Sequence, residues 1–542
     1  MGEHASRPLF ALLFAALTIA ARLPFIVSQK IPFDSDEAVE GLMARHVLSG
    51  ELPAFLWGQA FKGVPEVYLS AGLFGVVGSS VTALKSVTLA LFATYVALNF
   101  VLLDRIATRW VAVFASLLLI ASPPALVFWS LDASAEYVWI MLLGTLLLLL
   151  CLPGNGSGNR FRPSGRKRFP EPFRLFATGL VTGAGLWVHQ LFIVYLGPLA
   201  FVLAVQSAWW KRRTFRKPGN VALVLFALAA VYVFLALIAF TTGGISFELG
   251  RWPVSVRAPQ KMLRIAVALA ALAAIAQTLA NTPRDTLRAL TQRHWPIAAG
   301  FLIGYSPVLV YSILVEPARS PARNANLHQL LNATPDIFGN ILPILAGFKT
   351  ATTERLAVPA AAALPAAAAL AAYIWSSRQR LAHDFFPLFV VFVPLLFLAS
   401  GAYIDTQSYR YLIPWYAGLA VAWAAGSQML ASNRHGTPTL ATLIAGAIIA
   451  VHIWQQVLWY RKLQPDTQST AAIECLQRRG IRGGFAEYWT AYKLTFLAGE
   501  EIIIAPTDGI DRYPAYTDFV HSLPAAEKAE DPLRCNWRAG DR

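Results

Sequence analysis

Three carboxylates lie within four positions near the N-terminus of this 542-residue chain: Asp34, Asp36 and Glu37. Carboxylates this close repel one another, so the pKa of at least one should be raised unless a cation or a metal lies nearby. A carboxylate with a raised pKa suits a general base, and an ionised cluster suits a metal ion or a positively charged substrate group. The alternative is a solvated helix N-terminus, where acidic side chains interact favourably with the helix dipole.

Polar side chains recur a short distance downstream. Gln59, Lys62 and Glu66 supply an amide, a cation and another acid among apolar neighbours. Lys62 suits binding of a phosphate as a point charge. Its alternative role is that of a lysine whose stem lies in the membrane interface while its ammonium group stays in water.

Two further positions combine polar chemistry with an apolar context. Asp132 and Glu136 are four residues apart, so both can face one side of a helix start. Acids at a membrane edge are costly without a function, although a helix cap is the alternative explanation. His189 follows a Gly-Leu-Trp-Val run and suits contact with a ligand head group or a buried, hydrogen-bonded structural role.

The elements that must position these side chains are membrane spans. Hydrophobic residues make up 56% of the chain and charged residues only 14%, with a mean hydropathy of +0.52. These values exclude an ordinary soluble domain and a disordered protein. Apolar segments long enough to cross about 30 Å of hydrocarbon predict an α-helical polytopic membrane protein of about 13 spans. The predicted spans lie near 8–27, 81–103, 110–130, 135–152, 174–188, 191–209, 220–241, 261–280, 296–315, 357–376, 384–400, 411–430 and 439–459.

Basic residues predict the orientation of these spans. Loops 153–173 and 210–218 hold the densest Lys and Arg clusters, so both should be cytoplasmic, and the N-terminus with them. The formal net charge of +15 is explained by such loops rather than by a nucleic-acid partner. The first apolar segment lacks a small-residue cleavage site, which favours an uncleaved span over a removed signal. The protein should therefore lie in the cell inner (plasma) membrane, with its C-terminus outside.

This orientation places three long segments outside: loop 28–80, loop 316–356 and tail 460–542. Functional residues are expected there, because loops on a rigid scaffold commonly hold them. Within 28–80, the segments 37–48 and 67–74 have helical apolar spacing and suit amphipathic helices at the membrane interface. Arg319, Arg323 and the Asn-rich residues 324–326 suit a mobile lid.

The tail predicts a small exterior α/β domain over 460–542, following a transmembrane domain over 1–459. Helices are expected over 471–479 and 490–497, and strands over 483–488 and 501–505. Its aromatic segments 487–493 and 512–516 suit sugar stacking or a surface that faces the membrane. Cys475 and Cys535 are either a disulfide or two free thiols.

A family resemblance is visible in the first exterior loop. From Asp36 the pattern is DEAxxGLMARHxLxGE, and from Gly58 it is GQAFKGxPExYLxAxLFxxxG. This loop resembles that of the GT-C glycosyltransferases, a group that includes protein O-mannosyltransferases and aminoarabinose transferases. The nearer match is the bacterial glycosyltransferase 39-type, PMT-like branch, whose members use polyprenyl-phosphate sugars as donors and invert the anomeric centre.

The resemblance implies roles for particular residues. Asp36 and Glu37 occupy the positions of the family's Asp-Glu pair, with Asp36 as the catalytic carboxylate. Lys62 lies where many relatives have Lys-Pro-Pro near the donor phosphate, although here the sequence continues Gly-Val-Pro. Tyr409 and Arg410 resemble the family's Arg-Tyr-(Leu)-Pro motif at the exterior start of a late span. The expected site comprises catalytic Asp36, Glu37 and Asp34, a second acidic pair Asp132 and Glu136, and the donor- or substrate-binding residues Lys62, Arg410, Gln59, Glu66, His189 and Tyr409.

The implied function is inverting transfer of a sugar, hexosyl or pentosyl, from a polyprenyl-phosphate donor on the exterior membrane face. The acceptor is a glycan, a lipid or a protein. No cofactor is expected to be required, and a divalent cation remains open. A transporter or flippase of lipid-linked glycans is the alternative, but it would place ionisable residues near mid-membrane in matched halves. In a non-catalytic scaffold, the third hypothesis, Asp36 would be dispensable.

Overall fold

The computed structural model describes residues 6–133, 136–152, 170–206, 219–242, 245–249, 252–256, 259–281, 284–314, 327–432 and 438–534. Its helices are α1 (Ser6–Val27), α2 (Ser35–Leu48), α3 (Pro65–Val77), α4 (Val81–Ile106), α5 (Arg109–Ile120), α6 (Pro124–Trp129), α7 (Glu136–Cys151), α8 (Glu171–Val188), α9 (Ile193–Gln206), α10 (Asn220–Thr242), α11 (Pro259–Asn281), α12 (Arg284–Leu314), α13 (Leu327–Asp336), α14 (Leu342–Leu345), α15 (Leu364–Ser377), α16 (Phe385–Ser400), α17 (Tyr416–Ser432), α18 (Pro438–Lys462), α19 (Thr467–Arg478), α20 (Tyr488–Leu497) and α21 (Pro514–Ser522). Its strands are β1 (Phe55–Leu56), β2 (Gln59–Gly63), β3 (Ile245–Leu249), β4 (Trp252–Val256), β5 (Gly483–Ala486), β6 (Ile503–Pro506) and β7 (Lys528–Ala529).

The predicted apolar segments are helical. Each of the thirteen falls largely on helix within the described residues, which confirms a multi-pass helical protein. The third, 110–130, is divided into α5 and α6, because Pro123 and Pro124 cannot continue a helix and start a new one instead. Length and composition qualify six described helices as membrane spans: Arg7–Val27, Val81–Ile106, Asn220–Thr241, Thr291–Leu314, Ala360–Arg380 and Pro438–Arg478.

Small residues bring two of the membrane helices into backbone contact. Gly179 and Gly183 of α8 face α12, and Gly300 and Gly304 of α12 face α8, so each pair has GxxxG spacing. A Cβ atom at any of the four would clash with the main chain of the facing helix. In lipid, such close approach replaces the hydrophobic effect as the source of helix association. The Gly pairs therefore fix α8, whose C-terminal end leads to His189.

The elements of segment 28–80 and of the C-terminal tail share a single core. Apolar residues of α2, α3 and the start of α4 pack with those of α20, β6 and α21. Residues 37–44 of α2 are all buried, so α2 is not the amphipathic interfacial helix that its apolar spacing predicted. The reason is that α20 covers the side expected to face water or lipid. Phe496 of α20 lies directly over Gly41, where a Cβ atom would approach the ring to 2.5 Å.

The tail contains the predicted alternation of helices and strands. Its sheet has the order β6-β5-β7, with both pairings parallel. The predicted strands 483–488 and 501–505 correspond to β5 and β6, whereas β7 was not predicted because it is only two residues long. Cys475 is disulfide-bonded and Cys151 is free, while Cys535 lies outside the described residues.

Two segments differ from expectation or lie outside the described residues. The antiparallel hairpin of β3 and β4, between α10 and α11, was not predicted. The segment predicted as a lid, with Arg319, Arg323 and residues 324–326, lies outside the described residues.

Candidate active site

The N-terminus of α2 is built by Asp34. Its Oδ1 accepts hydrogen bonds from the amides of Asp36, at 3.0 Å, and Glu37, at 3.1 Å. This is the ordinary chemistry of an Asp N-cap, which satisfies amides that have no partner inside the helix. Burial and the negative charges of Asp132 and Asp36 raise the pKa of Asp34 to about 7. The cap and the acidic cluster are therefore the same feature.

Glu37 joins three elements. Both of its carboxylate oxygens accept from Lys85 Nζ of α4 at 2.7 Å, and Oε1 also accepts from the Ala133 amide at 2.9 Å. Lys85 further donates to the carbonyl of Pro32 at 3.0 Å. Burial raises the pKa of Glu37 to about 7, although Lys85 acts in the opposite direction. The result is that α2 is held against α4 and against the loop that contains Asp132.

Lys62 lies between two acids. Its Nζ is 3.2 Å from Glu40 Oε1 of α2 and 3.0 Å from Glu136 Oε2 of α7, and all three side chains are almost fully enclosed. Burial alone would lower the pKa of Lys62, but Glu136 and Glu40 together raise it above its usual range. Lys62 therefore stays charged. Its backbone also pairs with that of His189 in an isolated antiparallel bridge, which ties β2 to the end of α8.

The remaining acids of the group are also enclosed. Glu66 is 3% exposed and accepts a hydrogen bond from the Thr88 hydroxyl. Burial and the nearby Glu40 raise its pKa well above the usual range, which favours the protonated form. Asp132 is 1% exposed, in the loop after α6, and lies within electrostatic range of Asp34. Gln59 begins β2, three residues before Lys62.

His189 is a neutral imidazole. Its Nδ1 accepts from the amide of Leu191 at 3.0 Å, which leaves the proton on Nε2. Burial lowers its pKa further, although Glu136 acts in the opposite direction. The extended backbone of His189 ends α8. The helix break therefore places the ring beside Glu136 and Lys62.

Arg410 and Tyr409 lie in a 3₁₀ segment, Thr406–Trp415. Arg410 is half-buried, packs 5.5 Å from the ring centre of Tyr411, and lies within electrostatic range of Glu136. Among the described residues, no carboxylate lies within 4 Å of its guanidinium group. Tyr409 is fully buried, and its hydroxyl accepts from Trp129 Nε1 at 3.0 Å. Tyr409 thus anchors the 3₁₀ segment on α6, while Arg410 faces the acids.

Four residues of this arrangement were not predicted from the sequence. Glu40 is four residues from Asp36 and three from Glu37, so helical spacing could have included it in the acidic face. Lys85 is a cation inside an apolar span, and an ionisable residue in such a position indicates a functional site. Tyr488, whose hydroxyl donates to Asp36 Oδ1, joins the site over a separation of 452 residues that no local pattern reveals.

The fourth missed residue, Arg22, is buried in α1. It donates to the carbonyls of Ile120, at 2.9 Å, and Leu119, at 3.0 Å, and to Ser130 Oγ at 2.8 Å. These carbonyls are left without helical partners where α5 ends. Arg22 therefore stabilises the break between α5 and α6, and with it the loop that contains Asp132.

The acidic group forms no metal centre in the described part of the chain. No set of three or more His, Cys, Asp or Glu side chains there has a metal-binding arrangement. An apolar cavity of about 490 Å³ lies between α8 and α12, lined in part by Gly179, Thr182 and Phe301.

Comparison with known proteins gives a structural answer only. No family model matches the sequence, and no curated protein matches it significantly. Among solved structures, the chain is similar to the apo oligosaccharyltransferase of Archaeoglobus fulgidus, with a TM-score of 0.51 and 13% identity over 93% of this chain and 65% of that one. It is also similar to ArnT from Cupriavidus metallidurans bound to undecaprenyl phosphate (TM-score 0.47, 10% identity, 95% and 88% coverage) and in the apo state (0.46, 10%, 96% and 89%).

The oligosaccharyltransferase comparison identifies the fold. The chain has the fold of that oligosaccharyltransferase. This agrees with the resemblance of loop 28–80 to the GT-C glycosyltransferases. The chain spans less than two thirds of the length of that oligosaccharyltransferase.

Proposed function

We propose that this protein is an inverting glycosyltransferase that takes a sugar from a polyprenyl-phosphate donor and acts on the exterior face of the inner membrane. The single observation behind the proposal is the enclosed acidic group itself, in which Asp36 lies within electrostatic range of Lys62 and Arg410 lies within electrostatic range of Glu136. Asp36 is half-buried, and among the described residues no cation lies within 4 Å of its carboxylate. A carboxylate that is neither enclosed nor ion-paired is available to accept a proton.

The proposed reaction assigns one task to each group. Asp36 removes the proton of an acceptor hydroxyl, whose oxygen forms a bond to the anomeric carbon. The bond from that carbon to the phosphate oxygen breaks on the opposite face, and polyprenyl phosphate leaves with the bonding electrons. Arg410 offsets the negative charge that develops on the departing phosphate, since Lys62 already lies between two carboxylates.

Asp34 and Glu37 support this chemistry through position. Asp34 caps the helix that presents Asp36, and Glu37 fixes that helix on Lys85. A titration with divalent cations in the transfer assay described below measures whether the reaction needs one.

The test is transfer from polyprenyl-phosphate hexose and pentose donors by the full chain in liposomes. We expect Asp36→Asn to reduce turnover by about 10²–10⁴-fold, the usual contribution of a general base. Glu474→Gln, at an exposed acid of α19, is the matched control and should behave as wild type. Turnover of Asp36→Asn equal to that of the control would refute the proposal.

A further inference from the structure

The tail contributes a side chain to the group around Asp36. Tyr488, the first residue of α20, donates its hydroxyl hydrogen to Asp36 Oδ1 and is itself 2% exposed. We infer that Tyr488 is a positioning residue for Asp36, so that the exterior tail is part of the active site. This inference rests on the function proposed above.

The position of Tyr488 is itself determined on several sides. Its amide donates to Asp508 Oδ2 at 3.1 Å. The guanidinium group of Arg512 packs 5.3 Å from its ring centre, with Nε 3.4 Å from the hydroxyl oxygen. Arg512 also lies against Gly58, the turn residue between β1 and β2, whose φ of +66° favours glycine. The tail thus contacts α2, which carries Asp36, and the turn that leads into β2.

The loop that contains Arg512 is held by a second tyrosine. The Tyr492 hydroxyl accepts from the amides of Arg512, at 2.7 Å, and Tyr513, at 3.0 Å, and donates to Asp511 Oδ1 at 3.1 Å. All polar capacity of that hydroxyl is therefore used to shape the loop over Tyr488. Such a network fixes a geometry rather than providing a flexible surface contact.

The consequence concerns the two oxygens of Asp36. Among the described residues, Oδ1 is the carboxylate oxygen that accepts a hydrogen bond, which leaves Oδ2 for the acceptor hydroxyl. A base held in one orientation avoids the loss of rate that accompanies misplacement by a fraction of an ångström. Burial and the nearby Asp36 raise the pKa of Tyr488, so its hydroxyl stays protonated and remains a donor.

A purely structural role for Tyr488 makes a different prediction, and Tyr516 provides the control. Tyr516 belongs to the same tail, is also buried, and donates its hydroxyl to Glu500, away from Asp36. Tyr488→Phe and Tyr516→Phe each remove one hydroxyl from the same shared core. Loss of tail docking should affect both variants, whereas loss of Asp36 orientation should affect only Tyr488→Phe.

The experiment measures kcat, donor KM and thermal unfolding for both variants in liposomes. We expect Tyr488→Phe to lower kcat by about tenfold at unchanged donor KM, and Tyr516→Phe to keep kcat within about twofold. In an Asp36→Asn background, Tyr488→Phe should cause no further loss of transfer. Unchanged kcat in Tyr488→Phe, or equal losses in both variants, would overturn the inference.

The proposed function and this inference fail in distinguishable ways. If wild type transfers no sugar from any donor tested, the proposed function fails, and thermal unfolding of the Asp36→Asn and Tyr488→Phe single and double variants then decides the inference. Additive shifts in melting temperature would refute the contact as well, whereas non-additive shifts would retain it.

Discussion

At the scale of single residues, the site is a set of enclosed acids, most of which have a specific partner. Lys62 lies between Glu40 and Glu136, and Lys85 holds Glu37. Removal of one member of a buried ion pair is costly, because the other charge stays buried without compensation. Asp36 differs, since its partner is the neutral hydroxyl of Tyr488. This difference is the reason for assigning the chemistry to Asp36 rather than to its neighbours.

Glu66 allows a prediction about pH at the same scale. Its pKa in the folded protein is raised well above the ordinary 4.5, so the folded state keeps a proton that the unfolded state releases. Stability should therefore fall as pH rises above about 4.5, by about 1.4 kcal/mol per pH unit, until the raised pKa is reached. Glu66→Gln removes this slope because glutamine does not titrate.

The measurement is the melting temperature of wild type and Glu66→Gln between pH 5 and pH 7. We expect the melting temperature of the variant to rise relative to that of wild type as pH rises through this window. A constant difference between the two proteins at all pH values would show that Glu66 has an ordinary pKa.

At the scale of elements, the position of Lys62 depends on how closely β2 approaches the end of α8. Lys62 pairs with the backbone of His189, and the neighbouring Gly63 lies against Trp187. A Cβ atom at Gly63 would lie 2.6 Å from the carbonyl oxygen of Trp187, which is backbone and cannot move aside cheaply. Trp187 is held in turn by a 2.9 Å bond from its indole to the carbonyl of Ala54. The strand β2 and the end of α8 therefore together hold Lys62 in place.

Gly63→Ala should move β2 away from the end of α8. We expect a loss of about 1–3 kcal/mol in the free energy of unfolding, together with reduced transfer, because Lys62 moves relative to Glu136. Gly72→Ala in α3 is the matched control, since a Cβ atom there meets no atom within 4 Å. Thermal unfolding and transfer assays on the two variants check the prediction, and equal behaviour of both would contradict it.

At the scale of the whole molecule, the tail is docked on segment 28–80 by a cluster around His46. His46 Nδ1 is 2.7 Å from Glu51 and Nε2 is 3.0 Å from Glu500, which belongs to the tail. Trp57 stacks on Tyr513 of the tail, with ring centres 4.1 Å apart. The protonated form of His46 is required for both contacts to be favourable ion pairs, so docking should respond to pH.

The sign of this response follows from the pKa of His46. Hydrogen bonding to Glu500 raises it above the ordinary 6.5, with burial opposing and Glu51 adding to the rise. The stabilisation is therefore complete below about pH 6.5 and is lost as pH rises through the raised value. We expect the melting temperature of wild type to approach that of His46→Gln between pH 6.5 and pH 9. A difference between the two that is constant over this range would exclude His46 as the cause.

Local sequence patterns determined the helical membrane architecture and the Asp34 cap of α2, and they predict an exterior position for the acids. Apolar length, capping chemistry and basic-loop asymmetry act over a few residues, so they can be recognised without a structure. The partners were decided only by tertiary packing: Lys62 with Glu40 and Glu136, and Asp36 with a tyrosine 452 residues away. Such contacts depend on how separate helices and the tail pack together, and no periodicity within one segment specifies that arrangement.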